Sequence, residues 1–130
     1  MSTLAVGTIK SVSSAAPVIQ NTSGSEIGFF VKAWLKMYWN SGTPTISGSG
    51  NVTSLADVAT GDFTMNLTNA LTDANHATLV SGDAYGQSSA PHFNVGFTTR
   101  GYTTNAITIN ATNFSGTSTD IKSVQVAVVR

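Results

Sequence analysis

An all-β fold is what this sequence predicts: an antiparallel β-sandwich, or a jelly-roll-like variant of one, with an extended N-terminal arm. Three observations predict it. Several short segments alternate apolar and polar residues with the period of two that a half-buried strand requires. Turns rich in Gly, Asn and Asp separate them at fairly regular spacing, the pattern of sandwiches and barrels. No apolar i, i+3, i+4 stripe persists long enough to specify a helix.

The elements follow in order. Residues 1–12 read as a short strand or extended arm, with Leu4, Val6 and Ile9 available to pack on a neighbouring subunit. Residues 1–20 are assigned to this arm and 21–130 to a single sandwich domain. After a break at Ser13-Ser14-Ala15-Ala16-Pro17 and a turn over 21–28, the strongest strand begins at Phe29. Phe29, Val31, Ala33, Leu35, Met37 and Trp39 share one face. Phe30, Lys32, Trp34, Lys36 and Tyr38 share the other. That second face mixes cations with large rings. Lysine stems lying over rings on a solvated sheet face would explain it; so would a subunit interface, with Trp34 and Tyr38 as its anchors.

Asn40-Ser41-Gly42-Thr43-Pro44 breaks this strand, Thr45-Ile46-Ser47 forms a short one, and 48–50 are expected to be flexible. Next comes the clearest hairpin. A run from Val52 to Val58 turns through Ala59-Thr60-Gly61-Asp62 and returns with Phe63, Met65 and Leu67 on one face and Thr64, Asn66 and Thr68 on the other. Gly supplies a positive φ for such a turn, and Asp can accept hydrogen bonds from its own backbone. Thr72-Asp73-Ala74-Asn75 is a further turn before the apolar run 77–80. Residues 81–91 are the longest candidate loop, carrying Tyr85, with His92 at its end. Phe93, Val95 and Phe97 alternate. Arg100-Gly101-Tyr102 leads to a turn, Ile107 and Ile109 point inward, 113–120 form a loop, and Val124, Val126 and Val128 line the inner face of a closing strand.

The order of these pieces resembles small β-rich proteins of bacteriophage particles, the tail-fibre-like and other surface modules of phages of aquatic bacteria. The resemblance rests on Asn21 through Gly28, Ala33-Trp34, Thr60-Gly61-Asp62-Phe63 and Asp73-Ala74-Asn75-His76, together with the opening Ser2-Thr3-Leu4 and Thr8-Ile9-Lys10. It covers most of the first two-thirds of the chain, and its motifs are specific only as an ensemble. His76 stands where the family has an aromatic ring, and Leu35-Lys36-Met37-Tyr38 is more apolar than its strand. The resemblance implies a virion component, assembled in the host cytoplasm and displayed on the particle surface.

Composition narrows the alternatives. A chain of 130 residues suits one domain. Its 41% hydrophobic content is ordinary, but only 9% of residues are charged, against roughly 25% in an average domain. Such a surface offers little electrostatic defence against association, and few Lys or Pro residues guard the sheet edges. Edges covered by copies of the chain are therefore expected, in a homotrimer, alongside other virion proteins. The net charge of 0, without a basic stripe, argues against nucleic acid. The apolar stretch near 29–39 is cut by Lys32 and Lys36 and is too short to span a bilayer, so no membrane insertion is expected. No secretory signal is read at the N-terminus. Cysteine is absent, which removes disulfide and thiolate chemistry.

No catalytic constellation emerges. His76 and His92 are the only histidines, and neither lies in a nucleophile motif. Asp57, Asp62, Asp73, Asp83 and Asp120 fall beside turn residues, where Asp bonds nearby backbone N–H groups, and none has calcium-loop spacing. The chain is therefore expected to be non-enzymatic, with no metal and no cofactor. What remains is contact: Tyr85, His92 and Tyr102 are candidates for a host glycan or protein receptor. The leading expectation is a tail-fibre or fibre-tip component. The alternatives are a capsid decoration protein, favoured by the short length, and a free carbohydrate-binding module.

Overall fold

The computed structural model describes residues 19–28, 30–83, 96–113 and 115–130. Ten strands lie among them: β1 (Ile19–Gln20), β2 (Glu26–Gly28), β3 (Val31–Asn40), β4 (Thr43–Gly50), β5 (Val52–Ala59), β6 (Asp62–Leu67), β7 (Ala77–Asp83), β8 (Gly96–Arg100), β9 (Ala106–Thr112) and β10 (Ser123–Val129). Two four-stranded antiparallel sheets, ordered β4-β3-β10-β7 and β5-β6-β9-β8, pack as a sandwich, and β1 and β2 form a separate two-stranded ribbon. Hairpins join β3 to β4, β5 to β6 and β8 to β9 within a sheet; the remaining connections between β4 and β10 pass from one sheet to the other.

Alternation dictates the core. Ala33, Leu35, Met37 and Trp39 on β3 and Val124, Val126 and Val128 on β10 face Phe63, Met65 and Leu67 on β6 and Ile107, Ile109 and Ala111 on β9, all buried. The central strands of each sheet thus supply nearly all of the core, as expected for inner faces that interdigitate. Trp39 and Phe63 meet edge to face across the two sheets, with ring centroids 5.4 Å apart.

Two departures from strict alternation matter. Lys32 is an extra residue where Val128 pairs with Ala33 but Val129 pairs with Val31. This bulge turns Val31 outward, 55% exposed, instead of leaving it on the inner face with Ala33. Residues 48–50, expected to be flexible, instead continue β4 to Gly50, paired with β3. Here Ser47 is the extra residue, between the Met37–Ile46 and Lys36–Gly48 pairs, and its hydroxyl donates to the Lys36 carbonyl at 3.2 Å. Residues 81–83, assigned to a loop by their polarity, extend β7 along β10, and Asp57 lies within β5 opposite Phe63 rather than in a turn.

Side-chain oxygens hold the turns. Asn51, at φ 57°, stands where the chain leaves one sheet for the other. Its amide donates to the Lys32 and Asn69 carbonyls at 3.0 and 3.1 Å, and its oxygen accepts from the Asn69 N–H at 2.8 Å. Asn tolerates this left-handed conformation better than most residues.

Two distant loops repeat one device, built on Asn21, Ser23, Gly24 and Ser25 in one and on Asn113, Ser115, Gly116 and Thr117 in the other. In each, the Asn side-chain oxygen accepts from the N–H groups two and four residues later and from the serine hydroxyl. In each, the glycine has positive φ, 83° and 79°. Asn113→Ala removes all three side-chain bonds and is expected to cost about 1–2 kcal/mol. Chemical denaturation measures this, and Asn113→Asp, which keeps the acceptor, should recover most of it.

Candidate functional site

The two outer faces of the sandwich differ. On the β5-β6-β9-β8 sheet, polar side chains bond to one another: Thr64 with Thr108 at 2.8 Å, Asn66 to Ser54 at 3.1 Å, Thr53 to Thr68 at 2.9 Å and Arg100 to Asp62 at 2.8 Å. The β4-β3-β10-β7 sheet instead exposes large apolar groups, with Leu79 60%, Trp34 47% and Tyr38 40% accessible.

Register arranges that face in rows. Gly50, Trp34, Ala127 and Leu79 lie directly across from one another on β4, β3, β10 and β7. The next outward row is Gly48, Lys36, Gln125 and Ser81, and the one after it is Thr45, Tyr38, Ser123 and Asp83. Ser81 donates to Gln125 at 3.2 Å, the Gln125 amide donates to Ser123 at 3.3 Å, and Ser123 reaches Asp83 at 3.5 Å. A polar ladder therefore runs beside the two rings.

Trp34 is held by what β4 lacks. A Cβ added to Gly50 would collide with the indole Nε1, and one added to Gly48 would lie 3.4 Å from Cζ3 and Cη2. The pyrrole end of the ring thus covers Gly50 and its benzo end covers Gly48, so the long axis of the indole follows β4. An aromatic side chain covering a neighbouring strand's glycines also compensates the weak pairing surface they offer.

Of the sequence candidates, Trp34 and Tyr38 share this face. Tyr102 does not: it lies in the turn between β8 and β9 in the other sheet, its hydroxyl bonded to the Thr99 hydroxyl. Tyr85, His92, Leu4, Val6 and Ile9 lie outside the described residues. Gly48, Gly50, Leu79 and Gln125 were not singled out by sequence. A glycine pair at i, i+2 after a strand carrying a tryptophan is the signal that could have found the first two.

Tyr102 packs against His76, ring centroids 5.5 Å apart. Both His76 ring nitrogens are buried without a hydrogen-bond partner among the described residues. Asp73 lies close enough to interact and is itself paired with Arg130 at 2.7 Å. Burial holds the imidazole pKa below the usual 6.5; the Asp73 carboxylate opposes this and Arg130 adds to it. The folded state thus prefers neutral His76, while the unfolded chain takes up a proton around pH 6.5. Stability from this group is present above that pH and declines as the pH falls below it. Urea melts at neutral and mildly acidic pH should show wild type losing more stability on acidification than His76→Phe. Equal losses would place the pH dependence elsewhere.

No protein-family profile matches the chain, and searches of curated proteins and of solved structures find no match.

Proposed function

We propose that this chain is a non-enzymatic structural protein of a bacteriophage particle surface, a tail-fibre or fibre-tip component that makes contacts through one face of its sandwich. The observation that carries the contact role is the asymmetry of the two outer faces. One face links most of its central polar side chains to one another and, among the described residues, exposes a single large aliphatic group, Val58, on its edge strand, while the other leaves Trp34, Tyr38, Leu79 and Val31 open. Exposed large side chains gathered on one face are the usual mark of a contact surface. The particle setting rests on the sequence resemblance. The 9% charged content supports it as well, because a nearly uncharged sandwich suits a fixed assembly.

Immunogold labelling of purified particles tests this reading. Label confined to the tail supports it. Label spread over the head replaces it with capsid decoration, and absence of label from particles overturns the virion setting. Sedimentation of the isolated protein tests the homotrimer that this reading includes: a monomer throughout the micromolar range would remove it.

A further inference from the structure

We propose that the outer face of the β4-β3-β10-β7 sheet is a binding platform for a neutral oligosaccharide, built on Trp34 and Tyr38. This deepens the reading of the chain as a contact protein and rests on it for biological setting alone.

Three features of the face match the chemistry of a sugar chain. The first is the indole. One side of Trp34 is committed to Gly48 and Gly50, while the residue remains 47% exposed. The close fit over β4 fixes the ring before any ligand arrives, so binding orders little. An exposed aromatic face of this kind accepts the C–H face of a pyranose ring, which is apolar although the sugar's rim is not.

The second is spacing. Tyr38 shares the face four residues along the same strand, about 13 Å away at the rise of an extended chain. That distance exceeds one hexose ring, so the ligand is a chain of several sugars rather than a monosaccharide. The third is the ladder between and beside the rings. Gln125, Ser81, Ser123 and Asp83 set donors and acceptors along the row, where hydroxyl groups flanking a stacked sugar would meet them. Between the rings Lys36 and Asp83 supply one charge of each sign, and Lys32 follows two residues before Trp34 on β3, so the face presents no strong single-sign field with which to select an anionic polymer.

A second copy of the chain is the competing occupant. The polar ladder disfavours it, because a self-interface would have to desolvate Gln125, Ser123 and Asp83 as well as cover the rings.

The test uses the isolated protein and three soluble probes, cellohexaose, chitohexaose and maltohexaose, at millimolar concentration. The chain has two tryptophans, Trp34 and the buried Trp39, so two indole N–H signals report separately by NMR. At least one hexaose is expected to shift the Trp34 indole and Gln125 side-chain signals saturably, leaving the Trp39 indole signal in place. Trp34→Leu keeps an apolar cover over the glycines and should weaken binding about tenfold or more, with the fold intact by circular dichroism. Tyr38→Ser should weaken it severalfold. The proposal is overturned if no hexaose moves the Trp34 signal, or if Trp34→Leu binds as wild type does. Movement of that signal with protein concentration alone, without sugar, would overturn it in favour of a self-interface. Particle labelling is read independently. Sugar binding by a protein absent from particles would retain the platform and remove the virion setting, and the reverse result would do the opposite.

Discussion

Gly61→Ala is expected to destabilise the protein by at least about 3 kcal/mol, a large share of the roughly 5–15 kcal/mol that holds such a domain folded. Gly61 is buried in the β5–β6 turn at φ 71°. An alanine in this left-handed region costs about 1–2 kcal/mol before any contact is considered. Here the contacts are severe. The added Cβ would stand 2.6 Å from the Ala111 carbonyl oxygen and the Thr119 nitrogen, and 2.7 Å from the Thr119 oxygen. All three are backbone atoms, so no side chain can swing away. Relief requires moving the turn, and the turn is bonded on both sides. The Gly61 N–H donates to the Asp120 carboxylate at 2.7 Å, and its carbonyl accepts from the Ala111 N–H at 2.8 Å. Gly24→Ala is the control, because Gly24 also has positive φ but its added Cβ meets nothing within 4 Å. It should lose only the conformational part. Equal losses in urea unfolding for the two variants would show that the close approach of Gly61 to Ala111 and Thr119 carries no weight.

Phe63→Ala should cost about 3–5 kcal/mol, the range for truncating a buried aromatic residue. Phe63 is fully buried and presents its ring at 81° to Trp39 on the opposing sheet. The substitution removes both the area and the edge-to-face contact, worth about 0.5–1.5 kcal/mol by itself. Because that contact joins β6 to β3, the loss falls on the packing between layers rather than on either hairpin. A weakened near-ultraviolet signal from Trp39 should accompany the lower stability, with far-ultraviolet strand content retained. Phe63→Leu, which refills most of the volume, should lose much less. A Phe63→Ala variant within about 1 kcal/mol of wild type, a small effect on the scale of core truncations, would place the principal core elsewhere.

Much of this architecture is legible in the residues. Phe63-Thr64-Met65-Asn66-Leu67 and Val124-Gln125-Val126-Ala127-Val128 alternate cleanly, and both segments bury the residues that their period selects. The Thr60-Gly61 turn is equally plain. What escaped was the consequence of single inserted residues. Lys32 and Ser47 each bulge out of the ladder, and nothing in their chemistry distinguishes them from neighbours that stay in register. Without the bulge at Ser47, counting back from the Ser41-Gly42 turn puts Trp34 opposite Ser49. With it, Gly50 arrives opposite Trp34. The candidate site therefore depends on a one-residue offset, which is local backbone geometry rather than a property of composition. Gly48-Ser49-Gly50 reads as a flexible tract because glycines usually weaken a strand. A tryptophan from the adjacent strand supplies the cover they lack.

The place of β10 has a consequence for the newly made chain. It is the last of the described strands, yet it lies between β3 and β7 in the middle of its sheet. During synthesis the β3–β4 and β5–β6 hairpins can close early, since each joins neighbours in sequence. The inner flank of β3, however, must wait for partners some ninety residues later, Val124 through Val128 against Met37 through Ala33. Until they emerge, β3 and β7 each offer an unpaired edge, and the valine-rich segment that fits between them can be donated by another chain. Contacts this distant in sequence form slowly, and open edges in a slow folder invite exchange and aggregation. Yield of folded protein should therefore respond more to growth temperature and expression rate than the short hairpins alone would suggest.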